Sequence, residues 1–160
     1  MKKYIQLKED NVLTVVIKDI EGNETDCELK FDLEDIELPL KISKSEFEHK
    51  KNIQWLKNQF VIIDKKPDKK NDGFLSYKQR LKLEAYKEYY EKEENIIDLI
   101  IGEGNTKKIL KAMKRNPYYS MFDDINELLT PVLPVLESTM DNITDKIKDK
   151  YNEKEENIIE

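Results

Sequence analysis

Few residues in this chain have the type and spacing that catalysis or metal binding requires. His49 is the only histidine and Cys27 is the only cysteine, so no Ser–His–acid triad can be assembled and no zinc ligand set is visible. Acidic residues are so frequent that a pair such as Asp123 and Asp124 carries little information, since the dipole at a helix start is enough to favour it. The sequence therefore predicts a protein that is not an enzyme and that uses no cofactor and no metal.

A motif with two glycines, Gly102-Glu103-Gly104-Asn105, is the strongest local signal in the sequence. Glycines before a helix can expose backbone N–H groups to a phosphate. The motif lacks the spacing of a P-loop, however, and Glu103 places a negative charge where the phosphate would lie. We therefore predict a structural turn made by these four residues, in which Asn105 or Thr106 caps the following helix.

A long helix is predicted to lead into this turn. Ser76 and Gln79 have the spacing of a capping box, and nothing between them and Ile101 would break a helix. Apolar side chains fall on two adjoining faces, whereas the acids are predicted to stay in solvent. The apolar residues are Tyr77, Leu81, Leu83, Ala85, Tyr86, Tyr90, Ile97 and Ile101, and the acids are Glu91, Glu93 and Glu94. After the turn, residues 106–115 are predicted to form a short helix.

The N-terminal part of the chain has the two-residue period of β-strands. Residues 12–20 are rich in β-branched side chains, and residues 27–33 alternate between apolar and charged. The alternation changes phase and continues over residues 36–42, where Pro39 restricts a third strand to a sheet edge. An antiparallel meander is the simplest assembly. Capping boxes then predict an amphipathic helix over residues 43–60.

The clearest helical periodicity lies nearer the C-terminus. Apolar residues recur there every three or four positions, as along a coiled-coil seam. They are Tyr118, Phe122, Ile125, Leu129, Val132 and Leu136. Thr130 and Pro131 look like a cap followed by proline at the first helical position, so we expect the helix to restart or kink there. Such a seam needs a partner face, and the sequence leaves open whether that face belongs to the same monomer or to another molecule.

Residues 137–160 form a charged tail that contains four lysines and eight acidic residues. Met140, Ile143, Ile147 and Tyr151 give this tail the stripe of an amphipathic helix, although the stripe offers little apolar area. We expect the tail to extend from the body, to fray, or to fold on a partner.

Composition and charge argue against several classes of function. The 160-residue chain has a formal net charge of −6 and is 39% charged, which disfavours binding to nucleic acid or to an anionic membrane surface. No apolar run approaches the length of a membrane span, and the start lacks the apolar core of a signal peptide. We therefore expect a cytoplasmic protein whose partners are neither nucleic acids nor membranes.

Together these patterns predict an α+β protein. A small N-terminal antiparallel β-meander is expected to precede a mostly helical body and a helical or frayed acidic tail. The body is expected to be a single globular domain over residues 1–136, β-rich in 1–42 and helical in 43–136, with the tail at 137–160.

Two segments carry a resemblance to a known family. IIDLIIGEGNTKKIL, residues 96–110, and YYSMFDDINELLTPVLP, residues 118–134, resemble the small tail assembly chaperones of phages and prophages of Gram-positive bacteria. In that family an acidic and apolar run ends in a Gly-Glu-Gly turn, followed by a short helix and a final amphipathic one. The usual phenylalanine before the turn is Ile101 here, and residues 64–73 look like an added length.

The resemblance implies a chaperone that coats the tape-measure protein before the tail tube assembles, with the tail tube protein as a possible second partner. The residues expected to contact a partner, or sister subunits of a homo-oligomer, are Tyr118, Tyr119, Phe122, Ile125, Leu129, Val132 and Leu136. The main alternative is a structural minor tail or connector subunit that adds strands to its neighbours. An acidic mimic of nucleic acid is a third hypothesis, disfavoured because lysines are interleaved with the acids.

Overall fold

The computed structural model describes residues 11–70, 73–114 and 121–156. In this part of the chain two strands come first, β1 (Val12–Lys18) and β2 (Glu24–Asp32), and helices follow. The helices are α1 (Glu37–Asp64), α2 (Tyr77–Ile101), α3 (Asn105–Ala112), α4 (Met121–Leu129) and α5 (Leu133–Glu156). The predicted α+β class is thus confirmed, and so is the capping box of Ser76 and Gln79 at the start of α2.

The strands β1 and β2 form an antiparallel hairpin with an apolar inner face. Ile17, Cys27, Leu29 and Phe31 are buried on that face, which packs against α2 and α3. The Asp19 carboxylate holds the turn by accepting hydrogen bonds from two backbone N–H groups, each at 2.9 Å. The predicted alternation of the second strand is therefore confirmed.

The predicted third strand over residues 36–42 is wrong, because α1 begins at Glu37. The start signal is Asp35, whose carboxylate accepts a hydrogen bond from the Glu37 N–H at 2.9 Å. Pro39 lies in the first turn, where the N–H that proline lacks would have no helical partner. Leu38 is buried as a helical residue. The β structure is therefore a hairpin rather than a meander, and α1 starts before the predicted position 43.

The long helices α1 and α2 run antiparallel and form the scaffold of the fold. Lys82 Nζ lies 2.6 Å from an Asp64 carboxylate oxygen near the connecting loop, and Glu93 contacts His49 further along the pair. The helices α3 and α4 and the strand β2 also pack on α2. The position of α2 therefore decides where the other elements lie.

The predicted helix break near Pro131 separates α4 from α5. The helix α5 begins at Leu133 rather than at the proline. Leu136 is buried, and Met140 and Ile143 are half-buried beside the start of α1. The side chains of residues 144–153 are exposed. The tail is thus helical as far as Glu156, and its described side chains beyond Ile143 lie in solvent.

The corner between α2 and α3 is built by Asp98, so the predicted capping by Asn105 or Thr106 is wrong. One Asp98 oxygen accepts the Gly104 N–H at 2.9 Å, and the other accepts the N–H and the hydroxyl of Thr106 at 3.0 and 2.6 Å. Asn105 donates back to the Ile101 carbonyl at 2.7 Å. A carboxylate of the chain itself thus occupies N–H groups at the start of α3, as in a capped turn rather than a phosphate site.

We expect Gly102→Ala to be more destabilising than Gly104→Ala. Gly102 has a φ of +105°, and an added Cβ would lie 2.8 Å from Asn105 Nδ2, so a steric clash adds to the backbone strain. Gly104 has a φ of +78° and no atom within 4 Å of the added Cβ, so only a strain of about 1–2 kcal/mol applies. Urea unfolding of both variants measures the difference, and equal losses of unfolding free energy would contradict this account.

Candidate functional site

The predicted partner-binding residues that the structure describes lie together along one groove. They are Phe122, Ile125, Leu129, Val132 and Leu136. The groove encloses a cavity of about 70 Å³ between α1, α2, α4 and the start of α5. Tyr118 and Tyr119, which were predicted for the same surface, lie outside the described residues.

Other elements complete the walls of the groove. Its further lining residues are Phe31 of β2, Ile42, Ser45 and Glu46 of α1, Ile97, Ile100 and Ile101 of α2, and Asn126 and Leu133 of α4 and α5. The floor is apolar, whereas Glu46 and Asn126 are exposed at the rim. An apolar site with a polar rim can take an aliphatic side chain and orient it by contacts at the edge.

The seam packs on the core of the chain along one side. Ile125 and Leu136 are only 2% and 6% exposed, so these two side chains face inward. Phe122, Leu129 and Val132 are half-buried and line the groove. The seam is thus satisfied in part within the monomer, and the role of these residues in binding a partner or a sister subunit stays a prediction.

A buried polar cluster holds Phe122 in place. The Phe122 ring stacks on the His49 imidazole, with 4.0 Å between the ring centroids and 7° between the planes. His49 Nδ1 lies 2.5 Å from Glu93 Oε2, and Asn52 Nδ2 donates to Glu93 Oε1 at 2.8 Å. Glu93 itself is 1% exposed. The cluster of His49, Asn52 and Glu93 therefore connects α1, α2 and α4 around one carboxylate.

The prediction that Glu93 stays in solvent is wrong. It lies in a stripe that recurs every four residues along α2, and the buried residues of this helix are Ala85, Glu93, Ile97 and Ile101. The position of Glu93 in this stripe is a sequence signal for burial. Glutamate is rarely buried because it is charged, however, so its residue type argues against that reading. His49 and Asn52 lie one turn apart on α1, which lets both reach the same carboxylate.

Electrostatics within the cluster shift the pKa of Glu93 upward. Burial raises the pKa of the Glu93 carboxyl, the hydrogen bonds from Asn52 and His49 oppose this increase, and the charge of Asp123 adds to it. Burial also raises the pKa of the neighbouring Tyr89 phenol, and the charges of Glu93 and Asp123 add to this increase. The cluster reaches the groove only through the stacked Phe122 ring, so we interpret it as the support of the groove wall.

None of the helices in the described part of the chain has both the length and the apolar composition that a membrane crossing requires. Within residues 11–70, 73–114 and 121–156, no group of three or more His, Cys, Asp or Glu side chains is placed to hold a metal ion.

In comparisons with known proteins, no family model, no curated protein and no solved structure matches this chain. A function is therefore inferred from the groove and from the chemistry of the sequence.

Glu93→Ala is expected to destabilise the fold strongly. The substitution leaves His49 and Asn52 without their buried acceptor, and removing one partner of a buried pair costs about 3–5 kcal/mol. Glu91→Ala is a matched control on the exposed side of α2 and should stay within about 0.5 kcal/mol of the wild type. Urea unfolding followed by circular dichroism measures both variants, and a small loss for Glu93→Ala would contradict the supporting role.

Glu93→Gln is expected to change the dependence of stability on pH. Because burial raises the pKa of Glu93 above its usual 4.5, the wild type loses stability as the pH rises through the raised value. Glutamine keeps an acceptor for Asn52 and does not ionise. The unfolding free energy of the variant, relative to the wild type, should therefore increase between about pH 4 and 8. A constant or decreasing difference over this range would show that the carboxyl is not destabilised by burial.

Proposed function

We propose that this chain is a non-enzymatic tail assembly chaperone of a phage or prophage, which binds the tape-measure protein in the host cytoplasm and keeps it soluble during tail assembly. The observation that supports this proposal is the apolar groove between α1, α2, α4 and α5. Its walls include Phe122, Ile125, Leu129 and Val132, which lie in the segment that resembles this family. An exposed apolar groove is a typical binding site for an amphipathic helix of a partner.

The size of the groove favours a side chain over a free ligand. Its cavity of about 70 Å³ is roughly half of the ~150 Å³ that holds a benzene molecule in an engineered protein core. The space therefore suits one branched aliphatic side chain of a helix that lies across the rim. Glu46 and Asn126 can then contact polar groups beside that side chain, and a basic residue is favoured next to Glu46.

Surface charge supports the second part of the proposed task. A net charge of −6 keeps complexes dispersed because like-charged particles repel each other. One small groove gives weak affinity, but several chains along one long partner helix would cover it together. Each chain would remain displaceable when the tail tube protein assembles around the tape measure.

A second candidate function is a structural minor tail or connector subunit. The observation that favours it is the hairpin, because the described residues place no further strand beside β1 or β2. Such an edge can add strands to neighbouring subunits. The two functions differ in outcome, since a structural subunit is present in purified particles and a chaperone is absent from them.

Co-expression with the tape-measure protein encoded by the same genome tests the chaperone proposal. Asn126→Trp places a large side chain at the exposed rim without altering a core residue, and we expect it to block the groove and abolish soluble co-elution. Asn142→Trp makes the same substitution at an exposed position of α5 that does not line the groove, and we expect it to behave as wild type. Affinity pull-down followed by size-exclusion chromatography measures co-elution.

Circular dichroism of each purified variant establishes that it is folded before binding is compared. If the folded wild type does not keep the tape-measure protein soluble, the chaperone proposal is wrong. If the wild type and both variants co-elute equally with it, binding takes place elsewhere and the groove is not the site.

A further inference from the structure

The outward faces of the two strands differ in chemistry. The outward side chains of β2 are all charged, and they are Glu24, Asp26, Glu28, Lys30 and Asp32. Those of β1 are Val12, Thr14, Val16 and Lys18. Charged side chains on an edge strand disfavour pairing with other chains. β2 has this protection along its whole length, whereas β1 lacks it over residues 12–17.

Within the described part of the chain, the backbone of β1 pairs with β2 on one side and with no strand on the other. The Leu33 N–H donates to the Asn11 carbonyl at 2.9 Å, which marks a bonded pair at the start of the ladder. Bonded and non-bonded pairs alternate along an antiparallel ladder, so the N–H and C=O groups that point away from β2 are those of Val12, Thr14 and Val16. Within the described residues no strand lies beside this edge.

The apolar cover of the hairpin is also incomplete at β1. The inward residues Cys27 and Leu29 of β2 are 0% exposed. The inward residues Leu13 and Val15 of β1 pack on the same core but are only half-buried. A further strand beside β1 would bond to the backbone groups that point away from β2 and complete the cover of these two side chains.

We propose that β1 pairs with β1 of a second copy of this chain, antiparallel about a two-fold axis at Thr14, so that two hairpins form one four-stranded sheet. In this register Thr14 lies opposite Thr14 of the partner subunit, and Val12 lies opposite Val16 of the partner subunit. These are the residues whose backbone groups point away from β2, so donors meet acceptors along the edge. Leu13 then lies opposite Val15 of the partner subunit, and each copy completes the cover of the other.

A second copy fits this edge better than a segment of another protein because the pairing is self-complementary. No charged residue lies within residues 12–17, so two chains with a net charge of −6 meet where neither carries charge. The paired side chains are β-branched or apolar, and such pairs stabilise neighbouring strands. The charged face of β2 forms a polar rim on each side of the contact, as at typical interfaces.

The contact is small, which sets the expected strength of pairing. Stable interfaces bury about 1,200–2,000 Å², and pairing over residues 12–16 alone covers less than this. The dimer is therefore expected to be weak and to depend on protein concentration. The pairing does not depend on the proposed chaperone function.

Sedimentation equilibrium of the full chain over a wide concentration range tests the pairing with Thr14→Lys and Thr14→Glu. We expect the wild type to associate, and each variant alone to associate several-fold more weakly because like charges meet on the two-fold axis. Lys30 of β2 lies opposite Thr14 within the same chain, so the lysine variant is expected to be weakened more than the glutamate variant. A one-to-one mixture of the two variants should associate again, because lysine then faces glutamate. Rescue by mixing is expected only if the axis lies at Thr14.

Thr144→Lys and Thr144→Glu are matched controls at an exposed position of α5 and should associate as the wild type does. Hydrogen exchange gives a second readout, in which the amides of Val12, Thr14 and Val16 become protected as the concentration increases. The proposal is overturned if the wild type remains monomeric at every concentration, or if these amides are already protected in the monomer. It is also overturned if the Thr14 variants associate normally when alone or fail to associate when mixed.

Discussion

The architecture of this protein depends on one buried carboxylate. Glu93 lies in the middle of the buried face of α2, the helix on which α1, α3, α4 and β2 pack. A carboxylate in that position needs hydrogen-bond donors, so α1 must present His49 and Asn52 where they reach it. Apolar contact is non-directional and tolerates a shift along the helix, whereas this polar contact does not. The cluster therefore fixes how α1 and α2 lie against each other.

The groove follows from this arrangement and from the break after α4. The flat face of His49 sets the position of Phe122 and hence of the start of α4. The chain then turns between α4 and α5, which brings Leu136 back into the core while Leu129 and Val132 remain half-buried. The described part of the apolar seam is therefore covered on one side by other elements of the same chain. The uncovered side is the surface that the chaperone proposal assigns to a partner.

The two proposed contacts use different parts of the chain. The groove is lined by helices and by Phe31 of β2, and no residue of β1 lines it. The free edge of β1 offers backbone groups and short apolar side chains, whereas the groove offers a space for one side chain. Strand pairing between copies and binding of a partner helix are therefore compatible on the same molecule.

Short-range patterns in the sequence determined four features. They are the alternation of apolar and charged side chains in β2, the capping box at Ser76, the turn at residues 102–105 and the helix break near Pro131. Each of them depends on residues within one turn or one strand. Residues 36–42 carry local helix-start signals at Asp35 and Pro39, but their apolar side chains alternate as in a strand, and only the tertiary structure decided between the two. It also decided that Asp98 caps α3, that Glu93 is buried and which side of the seam is covered. These depend on neighbours that are distant in the sequence or on the exact path of the turn, so the local pattern was not enough to predict them.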